Sequence, residues 1–276
     1  MDSLWPKNSF YDAVVVDAGI AGLYMLYELR EVGLSCQVVE AGADLGGTWY
    51  WNRYPGARCD TYSMEYSYSF CSKLEQEWEW SERYPNQSEI LKYLNHVADR
   101  FELRSNIRFN TRLLAANFSE KKDQWNLDLD TGNQLICRFL LIDTGCLSMP
   151  NTLDISGFST FKGAIYHTSR WPKNEVCLSN QTVGVIGNGS SGVQIISELA
   201  KQAKKLIIFQ RTAQYAVPSG NCSLDSKEVE LIKSDYSGFR DRNRQQSSAQ
   251  LSGTKTSQRS ALSVSPDDRK RLYEGN

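Results

Sequence analysis

Two short apolar runs in this sequence each end in a glycine-rich turn that opens a helical pattern, and this pairing leaves few folds available. Residues 11–16, YDAVVV, are rich in β-branched side chains. The turn Asp17-Ala18-Gly19-Ile20-Ala21-Gly22 follows, then LYMLYELREVGL with Leu23, Leu26, Tyr27 and Leu29 at helical spacing, then SCQVVEAG as a second short strand. That is a βαβ unit, and its dense apolar strands suit a parallel sheet buried on both faces. The pattern returns 170 positions later: TVGVIG (182–187), the turn Gly187-Asn188-Gly189-Ser190-Ser191-Gly192, the amphipathic VQIISELAKQAKK and the strand LIIFQRT (206–212). A complete GxGxxG between strand and helix places a dinucleotide pyrophosphate on the helix N-terminus, where free N–H groups and the helix dipole favour anions. An ordinary strand-to-helix turn is the competing explanation. Arg211 and Thr212 stand where an acidic residue would hold the ribose of NAD, and arginine there suits the 2′-phosphate of NADP.

The first turn is altered. Asp17 stands where the first glycine is expected, while Glu40, 18 residues beyond Gly22, closes the second strand and suits a ribose hydroxyl, favouring FAD or NAD over NADP. Asp17 must take a backbone conformation that glycine adopts freely. It also sets a carboxylate near the pyrophosphate; at about 5 Å and an effective dielectric near 20, that repulsion is on the order of 3 kcal/mol, roughly a hundredfold in affinity. A protonated or outward-turned Asp17 would cost less. The unit therefore either binds FAD or NAD or survives as a scaffold that no longer holds a dinucleotide well.

Between the two units, 43–72 reads as an ordered loop and 88–103 as an amphipathic helix with Ser88 as its N-cap. Residues 107–142 read as a β-meander, beginning with a strand over 107–118 and turning at Thr131-Gly132-Asn133, inserted between parts of the parallel sheet. The expected organisation is an α/β fold with two Rossmann-like dinucleotide-binding domains. Residues 1–150 form the first domain, 151–181 a linker and 182–276 the second domain. Its tail is loose after about 219, and the Ser/Thr/Gln-rich stretch 247–263 especially so.

Composition narrows the function. The 31 Lys and Arg against 32 Asp and Glu give a net charge of -1, which offers no general attraction to nucleic acid or an anionic membrane. No run approaches 18 apolar residues, so no spanning helix is expected, and MDSLWPKNSFYD lacks the pattern of a secretory signal. Seven scattered cysteines without a CxxC pair point to free thiols in a reducing, cytoplasmic setting and to no metal site. Two histidines leave few candidates for Ser-His-Asp chemistry.

Two further segments carry chemistry. The loop Gly46-Gly47-Thr48-Trp49-Tyr50-Trp51-Asn52-Arg53-Tyr54-Pro55-Gly56-Ala57-Arg58-Cys59-Asp60 offers amides at Gly46 and Gly47 to phosphate, Trp49 and Tyr50 to a flat ring, and Arg58 with Asp60 as a charged pair. Residues 161–172 read FKGAIYHTSRWP, that is, FxGxxxHxxxWP; alone, His167 is more often a hydrogen-bonded structural histidine than a catalyst. Taken together, the two turns, GGTWYWNRYPGARCD and FxGxxxHxxxWP resemble the type I Baeyer–Villiger monooxygenases from about Tyr11 to Tyr273.

That resemblance implies FAD and NADPH as cofactors and a ketone and O2 as substrates. NADPH reduces the flavin, and one oxygen atom is inserted beside the carbonyl to give an ester or lactone, with secondary metabolism as one setting. It implies flavin contacts at Gly19, Gly22, Glu40, Gly47, Thr48, Trp49, Tyr50, Trp51, Asp60 and Tyr66. Arg58, Cys59 and Asp60 would lie between flavin and nicotinamide. NADPH contacts fall at Gly187, Asn188, Gly189, Ser190, Ser191, Gly192, Arg211 and Thr212. Asp60, Arg58 and His167 are the catalytic candidates, with His167 and Trp171 coupling the domains. The resemblance also implies departures. Asp143 replaces the usual alanine of an Ala-Thr-Gly and risks burial without a partner. The chain matches about the N-terminal half of the family pattern, so both domains are expected to be incomplete and the family's active-site arginine absent. Truncation would leave apolar surface uncovered and favour uncoupled NADPH oxidation. An inactive paralogue, a partner subunit, or a second chain supplying the other half are the alternatives.

Overall fold

The computed structural model of the chain describes residues 9–147, 149–151, 153–214, 216, 218–245 and 263–274. β1 (Ser9–Val16), α1 (Ile20–Glu31) and β2 (Cys36–Val39) form the expected βαβ unit. α2 (Thr48–Trp51), α3 (Ser72–Glu77) and α4 (Gln87–Arg100) follow, then β3 (Ile107–Arg108), β4 (Leu113–Ser119), β5 (Gln124–Leu129) and β6 (Gln134–Ile142). The six strands make one sheet in the order β3-β2-β1-β6-β5-β4. β3, β2, β1 and β6 run parallel, and β5 and β4 continue antiparallel.

Three expectations change here. The meander is not set apart from the sheet, because its last strand, β6, is itself the parallel partner of β1. The strand expected over 107–118 is broken in two. Asn110 takes φ 50, its amide donates to the Gly42 carbonyl at 2.8 Å, and the Thr111 amide donates to the Glu40 carbonyl at 2.8 Å. The chain thus wraps the end of β2 before turning away. The N-cap of α4 is Asn86, whose side chain accepts from the Glu89 amide at 2.9 Å, and not Ser88.

Strand β1 is buried on both faces. Ala13 and Val15 join Leu23, Leu26, Ile90, Leu94 and Val97 on the helix side, and Val14 joins Leu127, Leu129, Leu135 and Cys137 on the other. Such two-sided burial is why these strands read as unbroken apolar runs.

The second unit consists of β7 (Thr182–Ile186), α5 (Ser190–Leu199) and β8 (Lys205–Phe209), with β7 and β8 pairing in parallel as a separate two-stranded sheet. Val183, Val185 and Leu206 pack with Ile195 and Leu199 of α5, while the opposite face leaves Ile186 and Phe209 each 56% exposed. One Rossmann-like sheet is therefore clear, and the second is small.

Within the tail after 219, where 224–246 allows a helix with a charged face, stand two docked helices, α6 (Ser226–Ser234) and α7 (Tyr236–Arg244); α8 (Pro266–Glu274) falls where the chain end reads as helical. Ile232, Tyr236 and Phe239 are buried in the first core beside Tyr62, Met64, Leu74 and Tyr93. Arg240 pairs with Glu75 at 3.2 Å and donates to the Glu65 carbonyl at 2.9 Å and the Ser67 hydroxyl at 2.8 Å. The polar composition of α6 and α7 disguised this narrow apolar stripe. All but the last residue of 247–263 lie outside the described residues.

Candidate dinucleotide-binding site

Parallel register decides what stands at the carboxyl edge of the large sheet, the edge where open α/β sheets bind ligands. Val16 is level with Val39 of β2 and with Ile142 of β6. The next residue on each strand is acidic, so Asp17, Glu40 and Asp143 become neighbours, strands lying about 4.8 Å apart. The Asp17 amide donates to the Val39 carbonyl at 2.9 Å and the Asp143 amide to the Val16 carbonyl at 3.1 Å.

Asp17 adopts φ 87, close to the φ 97 of Gly187 in the second turn, so the two turns share a backbone shape although only one has glycine. The third glycine serves the same purpose in both. A Cβ on Gly22 would lie 1.9 Å from the Asp17 carbonyl oxygen, and one on Gly192 would lie 2.5 Å from that of Gly187. Each helix therefore starts hard against its turn.

An open cleft of about 190 Å³ lies over the first turn. Gly19, Gly47, Thr48, Trp49, Trp51 and Tyr66 line it, as do Asp17 and Asp143. Its aromatic wall is fixed internally: Trp49 Nε1 donates to the Tyr66 hydroxyl at 3.0 Å, with the rings edge to face. Burial pushes the Tyr66 phenol up to about 12, so it remains protonated. Ile20, Ala21, Asn52, Thr144 and Gly145 also line the cleft and were missed as site residues. A Thr-Gly directly after a strand parallel to β1 was the signal available for the last two.

Several predicted residues stand behind or beyond the cleft. Glu40 is 2% exposed, and both its oxygens accept backbone amides, Oε2 from Ala18 at 2.8 Å and Oε1 from Gly42 at 2.5 Å. It braces the turn. Tyr50 is buried, accepts from the Ala43 amide at 3.2 Å and carries Arg53 over its ring. The Gly46 amide, expected to meet phosphate, donates to the Ala18 carbonyl at 2.9 Å.

Arg58, Asp60 and His167 do not line the cleft. The expected Arg58–Asp60 pair is absent: Arg58 binds Glu82 at 2.9 Å and the Tyr84 carbonyl at 2.6 Å, because its bridge to Asn86 brings residues 82–84 within reach. Asp60 is exposed, and Cys59 is buried, its thiol pushed up by desolvation. His167 is exposed, and its Nδ1 accepts from the Ser169 amide at 3.2 Å, capping the turn Thr168–Arg170. The fingerprint segment nevertheless touches both units. Arg170 stacks 4.5 Å over Trp51, and Trp171 packs against a cluster containing Tyr54, Ala57, Ile195 and Leu199.

A second contact, with no motif to signal it, joins the units. Gln194 of α5 accepts from the Tyr54 hydroxyl at 2.8 Å and the Arg58 amide at 3.3 Å, and donates to the Arg58 carbonyl at 3.0 Å. In the second turn the side-chain amides of Asn188 and Gln210 meet at 2.8 Å, and Arg211 and Thr212 are exposed at the end of β8.

The cleft can be tested against an FAD pyrophosphate. A Cβ on Gly47 would lie 2.8 Å from the Gly19 Cα and 3.3 Å from Asp17 Oδ2, so two bare backbones approach closely and the carboxyl overhangs them. The shape, the glycines and the α1 N-terminus fit; the Asp17 carboxyl fits only when neutral. It is pushed up to about 8 by burial and by hydrogen-bonding with Glu40, with Asp143 adding repulsion. Burial also raises Asp143, whose Oδ2 is buried without a partner.

Comparisons with known proteins agree with this architecture. Residues 12–221 match the family model described as flavin-binding monooxygenase-like. The chain is 42% identical over 265 residues to a Baeyer–Villiger monooxygenase of Pseudooceanicola batsensis, covering 96% of this chain and 48% of that protein. It is 40% identical over 265 residues to cyclohexanone 1,2-monooxygenase of an Acinetobacter species, with the same two coverages. Among solved structures, the cyclohexanone monooxygenase from Rhodococcus sp. Phi1 bound to NADP+ superposes with a TM-score of 0.89 at 39% identity, over 98% of this chain and 50% of that one. The chain thus spans about half the length of the curated relatives it matches. On this family match, these identities and this superposition, the chain belongs to the flavin-binding monooxygenase-like family, among the type I Baeyer–Villiger monooxygenases.

Proposed function

We propose that this chain is the FAD- and NADPH-binding part of a Baeyer–Villiger-type monooxygenase that inserts one oxygen atom from O2 beside a ketone carbonyl, giving an ester or lactone. One observation carries the reading. The loop that walls the first cleft with Thr48, Trp49 and Trp51 is the loop whose Tyr54 and Arg58 grip Gln194 on the helix of the second turn. Electron transfer between two dinucleotides needs their sites held together in this way.

Bound FAD would supply the redox and oxygen chemistry. The protein's part is to bind, orient and exclude water. Gly19, Gly47 and the α1 N-terminus would receive the flavin pyrophosphate, and Thr48, Trp49, Trp51 and Tyr66 would pack its remaining length. Gly187, Gly189, Gly192, Ser190 and Ser191 would receive that of NADPH, with Arg211 and Thr212 toward the 2′-phosphate. Arg58, Cys59 and Asp60 are assigned to the space between the cofactors, and His167 to coupling the two units.

Asp17 favours a second reading, a non-catalytic relative or partner subunit with impaired flavin binding. The deciding test is an absorbance spectrum of the purified chain after adding FAD and removing the excess. Retained flavin bands, followed by NADPH oxidation with product or hydrogen peroxide, support the first reading. Monodisperse, flavin-free protein overturns it in favour of the second.

A further inference from the structure

Three carboxylates meet at the mouth of the first turn because strand register sets them there, and their hydrogen bonding is unequal. Glu40, just past β2, spends both oxygens on backbone amides. Asp143, just past β6, keeps a buried Oδ2 with no partner. Asp17, held at φ 87, directs its carboxyl over Gly19 and Gly47, where a pyrophosphate would rest. From α1, only the Gly19 amide favours its charged form. The loop residues that line the cleft, Gly46 to Trp49, Trp51 and Asn52, carry no titratable side chain, and Tyr66 stays a neutral phenol. Among the described residues, no Lys, Arg or His lines the cleft to offset the negative charge.

We propose that Asp17 is a proton-controlled gate on flavin capture: the cleft accepts the pyrophosphate when Asp17 carries a proton and rejects it when Asp17 is ionised. This rests on the flavin reading above and adds to it a binding residue that the two glycine motifs do not account for. Burial and the two neighbouring carboxylates keep the free protein largely protonated at Asp17 up to about pH 8. Above that pH each flavin that binds must bring a proton with it, and the apparent affinity falls with the protonated fraction.

The test is FAD affinity of the full chain, followed by flavin fluorescence from pH 6 to pH 9, for wild type, Asp17→Asn and Asp17→Gly. Wild-type Kd should rise about tenfold between pH 6.5 and pH 9, as expected when only the protonated form binds. Both variants should bind with a Kd independent of pH. Calorimetry at pH 8.5 in two buffers of different ionisation enthalpy should report uptake of about three quarters of a proton per flavin by wild type and none by the variants. A flat wild-type profile, or a slope that survives in Asp17→Asn, overturns the gate and leaves the flavin reading standing. Failure of all three proteins to bind FAD at pH 6 overturns the flavin reading and the gate with it.

Discussion

Asp17 should also be visible in the stability of the chain without any ligand. Its folded-state pKa, about 8, lies above the ordinary carboxyl value, so the folded protein holds a proton that the unfolded chain has lost. Stability from this group is fully present at acid pH and is lost as pH rises through 8. Asp17→Asn should therefore melt a few degrees above wild type at pH 8.5 and show little difference at pH 4.5, measured by calorimetry across that range. The cleft wall offers a second case. Tyr66→Phe removes the acceptor of Trp49 Nε1, and a buried indole N–H without a partner costs about 1–3 kcal/mol, to be read from a urea midpoint. Neither effect was legible from residue type alone. Asp17 could be suspected as a misplaced acid, but its Glu40 and Asp143 neighbours follow from pairing of β1 with β2 and β6, strands more than a hundred residues apart in one case.

Among the elements, those with strong local periodicity were read correctly from sequence. β1, α1, β2, α4, β7, α5 and β8 all occur where their apolar spacing predicts, with ends shifted by a few residues. What failed were the inferences that needed a partner. The Arg58–Asp60 pairing rested on spacing of two, yet the antiparallel bridge to Asn86 supplies Glu82 instead. Ser88 looked like an N-cap by type, and Asn86 took the position because the helix starts two residues earlier than expected from the apolar stripe. Gln194 is a polar residue one turn into α5, unremarkable until the loop at Tyr54 and Arg58 is folded against it. Gln194→Ala should weaken this joint by the net worth of up to three hydrogen bonds, about 0.5–1.5 kcal/mol each. Hydrogen exchange at the Arg58 amide should accelerate, while the amides pairing β1 with β2 keep their protection.

For the whole molecule, the described residues do not divide cleanly at residue 150. The first core is completed by α6 and α7, and the buried pair of Arg240 with Glu75 is the contact that ties them down. Arg240→Met leaves Glu75 charged and nearly inaccessible, a loss of about 3–5 kcal/mol. It should make 226–244 the first region cut in limited proteolysis. The second unit is correspondingly a module held at both ends, by the fingerprint segment before it and by the strap in which the Arg83 amide donates to the Cys222 carbonyl at 2.9 Å after it.

That arrangement fixes an order of events during synthesis. Arg240 meets its partners on the first core across 165–175 positions of chain, and Tyr236 donates to the Met64 carbonyl across 172. A nascent chain that has emerged only as far as the large sheet lacks Ile232, Tyr236 and Phe239 and holds Glu75 without its cation. Contacts this distant in sequence form late and slow folding. The helical face of the amino-terminal sheet can therefore gain its full set of contacts only after the second unit has been made and residues 232–240 have been added to the chain.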